Sequence, residues 1–300
     1  MTFENTLRSD TDPSDRPGAS ILAAPAALAR SEGRVEVRFR ERNSVSSLAH
    51  LYQRGCGRVR FPAVENPDYP EAVLINTAGG LTGGDHMAFD ISLEAGARLT
   101  VSGQAAERIY RSIGTTAIIE AEMTVADGAT LEWLPQETIL FDQSRFKRIN
   151  TVYLEKGSRF LALEATLFGR TAHGETICSA SIRDGWRIHH DGALIWYDNF
   201  MLEGDIQAKT RHPALLDGAR GMATVLLVDD MAELYLETAR AAARNCGVRA
   251  AVTCRGCLLI MRLIATNGYD LRKALVGILI ELRRALPGHP AMLPKVWENM

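Results

Sequence analysis

Apolar and polar side chains alternate along much of the chain between Arg34 and Phe200. The pattern is clearest at its start, where Val35, Val37 and Phe39 are separated by charged residues. Successive side chains of a strand point to opposite faces, so this period of two predicts half-buried strands. Strands are predicted at 34–40, 58–61, 72–75, 87–93, 98–102, 117–125, 130–134, 150–154, 159–167, 186–189 and 194–200. No long helical pattern interrupts them, and residues 31–218 are therefore predicted to be β-rich.

A small turn repeat accompanies these strands. Gly96, Gly128, Gly157 and Gly185 each lie just before a predicted strand, at intervals of roughly thirty residues. A turn that recurs at a fixed interval is typical of a helically wound, solenoid-like sheet, in which each coil stacks on the next. An ordinary β-sandwich with regular hairpins would give a similar pattern. The repeat alone leaves both architectures open.

The pattern changes after Arg220, where helical segments begin. The predicted elements are a strand at 222–228, a helix at 231–245, a hairpin at 248–253 and 257–265, and a helix at 269–286. Asp229 and Asp230 are expected to cap the first helix, and Pro287 to end the second. Residues 219–300 would form a strand-helix-hairpin-helix unit within a single domain, 31–300. Residues 1–30, polar over most of their length, are expected to be a disordered tail.

Composition and charge exclude several classes of protein. The chain has 300 residues, 46% of them hydrophobic, and a net charge of −2, with its basic residues spread evenly. Such a chain can bury a substantial core, and it offers no basic patch for nucleic acid or an anionic membrane. The longest apolar runs, at 223–228 and 258–264, are too short to span a bilayer. We expect a cytoplasmic protein whose five scattered cysteines are free thiols.

The most specified stretch of the chain is the loop after Ile75. It contains two glycine pairs and an acidic residue, namely Gly79, Gly80, Gly83, Gly84 and Asp85. Paired glycines allow positive φ angles or very close backbone contacts, so Asp85 is expected at the end of a tight loop. The loop lacks the lysine and the hydroxyl residue of a P-loop and the order of a dinucleotide-binding motif. A phosphate site is therefore not expected there.

Carboxylates are the candidate chemical groups of this sequence: Asp85, Glu164, Glu175 and Asp198. One hypothesis is a hydrolase or lyase on a β-helical scaffold that uses Asp85 and Glu175 as an acid–base pair. That chemistry requires two carboxylates a few ångströms apart, in environments that separate their pKa values. The sequence contains no serine nucleophile elbow and no convincing Cys–His pattern. Solvated or salt-bridged carboxylates are the simpler interpretation.

Cysteine and histidine pairs give weaker signals. Cys254-x-x-Cys257 has no second pair to complete a zinc site, and Arg255-Gly256 explains its spacing as a hairpin turn. His189 and His190 are neighbours on a predicted strand, so their side chains point to opposite faces and cannot share one ion. Neither pair predicts a metal centre.

Four motifs follow one another along the chain. They are NTAGGLTGGD at 76–85, GQAAERIYRS at 103–112, LEWLPQE at 131–137 and FGRTAHGE at 168–175. Together they resemble the urease accessory protein family UreD, called UreH in some bacteria. The resemblance extends from about Arg34 to Trp297 and includes the first predicted strand and the closing LPKVW at 293–297.

The resemblance implies a chaperone that is not an enzyme and holds no tightly bound cofactor. In this family the protein binds apo-urease and recruits UreF, through which the GTPase UreG joins, so that nickel reaches the urease active site. A dimer within that complex is compatible with the resemblance. The family fold is a helically wound β-structure with two C-terminal α-helices, which favours the solenoid-like interpretation.

The resemblance also suggests roles for the carboxylates. In the family a water-filled tunnel is proposed to conduct nickel, and its acidic positions map onto Asp85, Glu164 and Asp198, while Glu175 lies in the family's G-x-x-x-x-G-E loop. A conduit needs weak, spaced ligands, and scattered carboxylates would hold Ni²⁺ only transiently. Glu107 departs from the family pattern, because relatives often carry a small hydroxyl residue there. If Glu107 faces the tunnel, its carboxylate should tighten cation binding.

Overall fold

The computed structural model describes residues 29–64, 66, 68–170 and 174–298. The predicted tail, 1–30, lies outside these residues except for its last two. The strands are β1 (Glu32–Arg42), β2 (Val45–Gly55), β3 (Gly57–Arg60), β4 (Glu71–Asn76), β5 (His86–Leu93), β6 (Arg98–Gly103), β7 (Glu107–Ile109), β8 (Ala117–Val125), β9 (Thr130–Leu134), β10 (Thr138–Leu140), β11 (Arg145–Leu154), β12 (Arg159–Phe168), β13 (Ser179–His190), β14 (Ala193–Asp205), β15 (Gly221–Val228), β16 (Arg249–Arg255) and β17 (Leu258–Ala265). The helices are α1 (Ile206–Arg211), α2 (Leu236–Asn245), α3 (Gly268–Ala285) and α4 (Lys295–Glu298).

Two large sheets face each other, and the chain winds between them. Sheet A has the strand order β14-β13-β11-β8-β5-β1-β2, and sheet B the order β16-β17-β15-β12-β9-β6-β4-β3. The central strands of each sheet run parallel. Each coil passes from sheet A to sheet B. The short strand β10 pairs with the second half of β12, and β7 pairs with β10. Arg98 pairs with Thr130, which pairs with Arg159, so a coil spans roughly thirty residues. The prediction of a mainly β, solenoid-like fold is confirmed.

The turns from sheet A to sheet B use three of the four predicted glycines. Gly96, Gly128 and Gly157 have φ angles of 73°, 65° and 75°, in the left-handed region that favours glycine. The prediction for Gly185 was wrong, because it lies inside β13, where it pairs with Ile149. The preceding Asp184 points inward to an arginine and does not start a turn. The turn after β13 is instead at Asp191–Gly192.

The C-terminal part extends sheet B and covers one of its faces. Strands β15, β16 and β17 continue the sheet, and α2 and α3 pack on it. The predicted first helix begins later than expected, since a 3-10 turn at Ala232–Tyr235 precedes α2. The predicted caps Asp229 and Asp230 were wrong, because the N-cap residues are Met231 for the turn and Tyr235 for α2; Oδ1 of Asp229 instead accepts from the Met231 N–H at 2.7 Å, just before the turn. The apolar stripe predicted for the last helix is buried: Leu271, Leu275, Ile278, Leu279, Leu282 and Leu286.

Apolar side chains fill the fold in three clusters. One lies between sheet B and the helices and includes Leu163, Leu227 and Leu275. The other two lie between the sheets, one containing Val152 and the other Phe146, both from β11. Because Phe146 and Val152 are on the same face of one strand, the residues between them on that face occupy the boundary of the two clusters. Among the described residues, no helix is both long and apolar enough to cross a membrane.

Candidate functional site

A band of polar side chains separates the two apolar clusters between the sheets. On β11, Arg148 and Asn150 are buried between Phe146 and Val152. On β17, Arg262 lies between Ile260 and Ile264, which pack with different clusters. We call this band the polar layer, and its members, linked by contact or by strand register, are Asn76, Glu107, Thr138, Arg148, Asn150, Glu164, Asp184, Asp198, Thr224 and Arg262.

Arg148 is the centre of the layer. Its Nε and Nη2 donate to Oδ1 and Oδ2 of Asp184 at 3.0 and 2.5 Å. Its Nη1 donates to Oγ1 of Thr138 at 2.8 Å and lies 2.5 Å from Oε2 of Glu164. The side chain is only 5% exposed. A buried guanidinium that binds one carboxylate through two nitrogens and contacts a second is held in a fixed orientation.

Glu164 is buried on the opposite sheet. Its Oε1 accepts from Nε1 of Trp133 at 3.0 Å and from Nδ2 of Asn150 at 3.3 Å. Burial raises the pKa of Glu164 to about 7, although Arg148 acts in the opposite direction. Oδ1 of Asn150 is buried with no hydrogen-bond partner among the described residues. The surroundings of Glu164 therefore retain an unused acceptor that suits water or a cation.

A cavity of about 150 Å³ leads to this carboxylate. Its walls include Asn76, Gly80, Gln104, Glu107, Arg148 and Glu164. Both Gly79 and Gly80 of the double-glycine loop contribute to it, so the loop forms part of its wall. The cavity is large enough for several water molecules.

Glu107 lies on the wall of the cavity. Nδ2 of Asn76 donates to both of its carboxylate oxygens, at 3.0 and 3.2 Å. Burial raises the pKa of Glu107 to about 7, which outweighs the hydrogen bonds from Asn76. The Glu107 carboxylate is thus one of the oxygen donors that line the cavity.

The cavity lining contains acidic and basic side chains in equal number. Glu107, Glu164, Arg108 and Arg148 all line it. Burial acts to lower the pKa of Arg148, but Asp184, Glu164 and Glu107 raise it and outweigh burial. Both arginines act to lower the pKa of Glu107. A cation that enters the cavity therefore competes with two resident guanidinium groups for the carboxylates.

The far end of the layer lies at sheet edge β14. Glu164 pairs in register with Thr224, and Thr224 with Arg262. Nη2 of Arg262 binds Oδ2 of Asp198 at 2.6 Å, which connects sheet B to sheet A. Two strand spacings separate Glu164 from Arg262, about 10 Å. Of the four predicted carboxylates, the structure therefore places Glu164 and Asp198 in one layer.

Asp85 has a different environment. It is 4% exposed, and its Oδ1 and Oδ2 accept from the backbone N–H groups of Ser31 and Thr82, both at 2.8 Å. Its own N–H donates to the carbonyl of Thr82. The carboxylate thus closes the Thr82–Asp85 loop and fixes the chain that enters β1. It does not belong to the lining of the cavity that reaches Glu164.

Glu175 is also separate from the polar layer. Its Oε2 binds Nε of Arg170 at 2.8 Å, and its Oε1 lies 3.5 Å from the N–H of Asp142. Burial acts to raise the pKa of Glu175, but hydrogen bonds from Arg170 and Asp142 outweigh it and leave the pKa lowered. Within the described part of the chain, Asp85 and Glu175 share no hydrogen-bond partner. No hydrogen bond among the described residues couples the two carboxylates as an acid–base pair.

Two glycine substitutions test how tightly the double-glycine loop is packed. A Cβ on Gly80 (φ 146°) would lie 2.4 Å from Cε2 of Tyr110 and 2.8 Å from the carbonyl oxygen of Arg108, whereas a Cβ on Gly79 (φ 75°) meets nothing within 4 Å. We expect Gly79→Ala to lower the free energy of unfolding by about 1–2 kcal/mol, because alanine is strained in the left-handed backbone conformation. Gly80→Ala should lower it by about 1–3 kcal/mol more than Gly79→Ala, because its Cβ is overpacked. Urea unfolding measures both, and equal losses would contradict this account of the loop.

The cysteine and histidine pairs are structural. All five cysteines are free. Cys254 and Cys257 pack against different apolar clusters, and burial raises the pKa of each thiol. His189 stacks on Tyr153. Among the residues that the structure describes, no group of three or more His, Cys, Asp or Glu side chains could hold a metal ion.

Sequence reasoning missed Arg148, Asp184 and Asn76 as members of the site. Arg148 and Asn150 occupy the inward positions of β11, in step with Phe146 and Val152. An arginine at a position where alternation predicts an apolar residue indicates a buried ion pair. That signal was present in the sequence, but its carboxylate partners could be found only after the strands were paired.

Comparison with known proteins agrees with the motifs. A family model described as UreD urease accessory protein matches residues 31–298. Urease accessory protein UreD 1 of Brucella abortus biovar 1 (strain 9-941) is 42% identical over 272 residues, which cover 90% of this chain and 95% of the relative. The UreD proteins of Magnetococcus marinus and Agrobacterium fabrum are 40% and 38% identical, over 89% and 93% of this chain and 94% and 95% of their own lengths. The chain therefore belongs to the UreD family of urease accessory proteins.

Proposed function

We propose that this protein binds apo-urease and, with UreF and the GTPase UreG, supports the insertion of nickel into the urease active site. In this proposal the polar layer forms part of the route along which nickel moves. UreF is the direct partner, and UreG joins through UreF. Membership of a family of urease accessory proteins supports the role in urease maturation.

The observation that carries the nickel route is the cavity between Glu107 and Glu164. It contains several oxygen donors, among them two carboxylates with a pKa of about 7. Near neutral pH such groups exchange a proton for a metal ion at little cost, because neither form is strongly preferred. Carboxylate oxygens hold Ni²⁺ less firmly than a Cys/His cage would. A route of this kind admits the ion without retaining it.

Arg148 has a defined part in this proposal. It is a resident cation that neutralises Glu164 and Asp184 when nickel is absent. Incoming Ni²⁺ would compete with the guanidinium for Glu164, while Asp184 keeps Arg148 in place through two hydrogen bonds. The layer would thus release nickel readily, because its own cation restores the ion pair.

Deletion of this chain tests the proposed function. Co-expression of the urease structural subunits with UreF and UreG, but without this protein, should yield assembled urease that contains little nickel and is inactive. Nickel per active site is measured on the purified enzyme, and a plasmid copy of the chain should restore it. Active, nickel-loaded urease from the deletion strain at ordinary nickel supply would refute the proposal.

A further inference from the structure

A second cavity, of about 140 Å³, lies in sheet A, and its lining includes Arg148 and Asp198 of the polar layer beside residues of the outer face of the sheet. It is centred on Gly185, whose missing side chain leaves a gap in the sheet surface between Ile149 and Asn199. The side chains that surround this gap belong to three adjacent strands, and they are Lys147, Arg183, Arg187, Tyr197 and Asn199. We call this the Gly185 cavity.

Three of these side chains are cations that form no ion pair with the described residues, and Asp198, the carboxylate that also lines the cavity, pairs instead with Arg262. Lys147 and Arg183 are direct cross-strand neighbours, and Arg187 follows two positions beyond Gly185 on the same face. Like charges in directly opposite positions destabilise a sheet. None of the three lies within 4.0 Å of a carboxylate of a described residue, although Glu122 and Glu203 share this face of the sheet. Bound negative charge would relieve the repulsion.

The strand beside the cavity is an exposed sheet edge. Among the strands that the structure describes, β14 pairs with β13 alone, so its other side is a sheet edge along a 13-residue strand. Its outer face carries three large exposed side chains: Leu194 (54%), Tyr197 (57%) and Met201 (52%). Tyr197 lies opposite Arg187 and Met201 opposite Arg183. On this face, arginines of β13 therefore lie next to large apolar side chains of β14, and the far side of β14 is the edge of the sheet.

We propose that this surface binds an extended acidic segment of a partner protein, which adds a strand to β14 and places a carboxylate in the Gly185 cavity. Strand addition at a free edge supplies backbone hydrogen bonds, and side-chain pockets supply specificity. Arginines bind carboxylates strongly when both are partly desolvated. A free inorganic anion would use the cations but not the exposed Leu194, Tyr197 and Met201, which favours a peptide.

The proposal rests on the proposed function in one respect, since the partner is sought among the proteins of the urease assembly. The test variant is Arg183→Glu/Arg187→Glu in the full chain, co-expressed with the urease subunits, UreF and UreG. The matched control is Arg38→Glu/Arg42→Glu, two exposed arginines on β1 of the same sheet. In the test variant, the amount of one partner recovered with the purified complex should fall at least about tenfold. The control should retain every partner.

Two further measurements separate docking from a general loss of structure. Arg183→Lys/Arg187→Lys keeps the charges and should retain the partner. The unfolding midpoint of the isolated Arg183→Gln protein should stay the same or rise, because one of two repelling cations is removed. Recovery of all partners with Arg183→Glu/Arg187→Glu would overturn the proposal, as would a marked fall in the Arg183→Gln midpoint.

A small anion is distinguished by competition. Phosphate at millimolar concentration should not displace the partner, whereas a synthetic peptide of alternating Glu and Val should displace it, and its Gln–Val counterpart should not. Displacement by phosphate alone would overturn the peptide proposal. Failure of the proposed function appears separately, as urease that acquires nickel in the deletion strain, whether or not a partner is lost at β14.

Discussion

Arg148→Met is expected to lower the free energy of unfolding by about 3–5 kcal/mol at pH 8, the cost of leaving buried charges without their partner. The substitution keeps most of the side-chain volume, so the loss is electrostatic and not a packing defect. It leaves Glu164 and Asp184 without their guanidinium in a layer where Glu164 is only 4% exposed. Urea unfolding measures the effect, and Arg38→Met on the exposed face of β1 is the matched control, with an expected change below about 0.5 kcal/mol.

The loss should shrink as the pH falls. Burial holds the pKa of Glu164 at about 7 even beside Arg148, and removal of the cation raises it further. A carboxyl group whose folded pKa exceeds its unfolded pKa stabilises the fold below the unfolded value, and that stability is lost as the pH rises through the folded pKa. Arg148→Met should therefore be closest to wild type near pH 5, and Arg148→Met/Glu164→Gln should regain part of the loss at pH 8. A loss of equal size at both pH values would contradict the assignment.

Glu164→Gln is expected to reduce nickel loading of urease by about tenfold or more, which corresponds to about 1.4 kcal/mol of lost cation binding along the route. Gln keeps an oxygen to accept from Trp133 and Asn150 but has no charge to offer a cation. The Gln amide nitrogen would face Nη1 of Arg148 in place of Oε2, which breaks a buried ion pair and should lower stability, so nickel loading is compared at equal amounts of intact complex. Nickel content and urease activity, measured after co-expression with the partners, give the effect.

Two comparisons sharpen this prediction. Glu122→Gln changes an exposed carboxylate on the outer face of β8 and should leave nickel loading at the wild-type level. Glu107→Gln removes the carboxylate at the cavity wall and should reduce loading only when nickel is scarce. An equal loss in Glu122→Gln and Glu164→Gln would show that the effect does not come from the polar layer.

The fold was predictable where one physical rule decides the structure. Alternation of apolar residues identifies β8 at its observed bounds, because each inward position of that strand is apolar. Left-handed turns at Gly96, Gly128 and Gly157 need glycine, so their spacing revealed the coil. The choice of a helically wound fold over a sandwich followed from the family resemblance, since the spacing alone fitted both.

Prediction failed where the polar layer crosses the sheets. The strand expected at 150–154 begins at Arg145, because Arg148 and Asn150 occupy inward positions and hide the first half of the alternation. The strand expected at 186–189 begins at Ser179, because Asp184-Gly185 resembles a turn. Both errors lie close to the ion pair between Arg148 and Asp184. Local rules fail at such positions because the partners that satisfy them come from other strands.

The candidate site was only partly predictable for the same reason. Glu164 and Asp198 share the polar layer, whereas Asp85 holds a loop through two backbone N–H groups and Glu175 pairs with Arg170. A sequence shows which residues are carboxylates but not which of them face one another across two sheets. The roles of Asp85 and Glu175 in nickel transfer stay a prediction.

The most direct test of the nickel route follows the ion itself through the assembled complex. Radioactive nickel is supplied to a complex of this protein, UreF, UreG and apo-urease in the presence of an excess of EDTA, and the label on urease is counted. If nickel passes along the polar layer, the wild-type complex should transfer label that the chelator does not intercept, and the intact Glu164→Gln complex should transfer about a tenth of it or less. Transfer by Glu164→Gln at the wild-type rate, with the complex intact, would contradict the account.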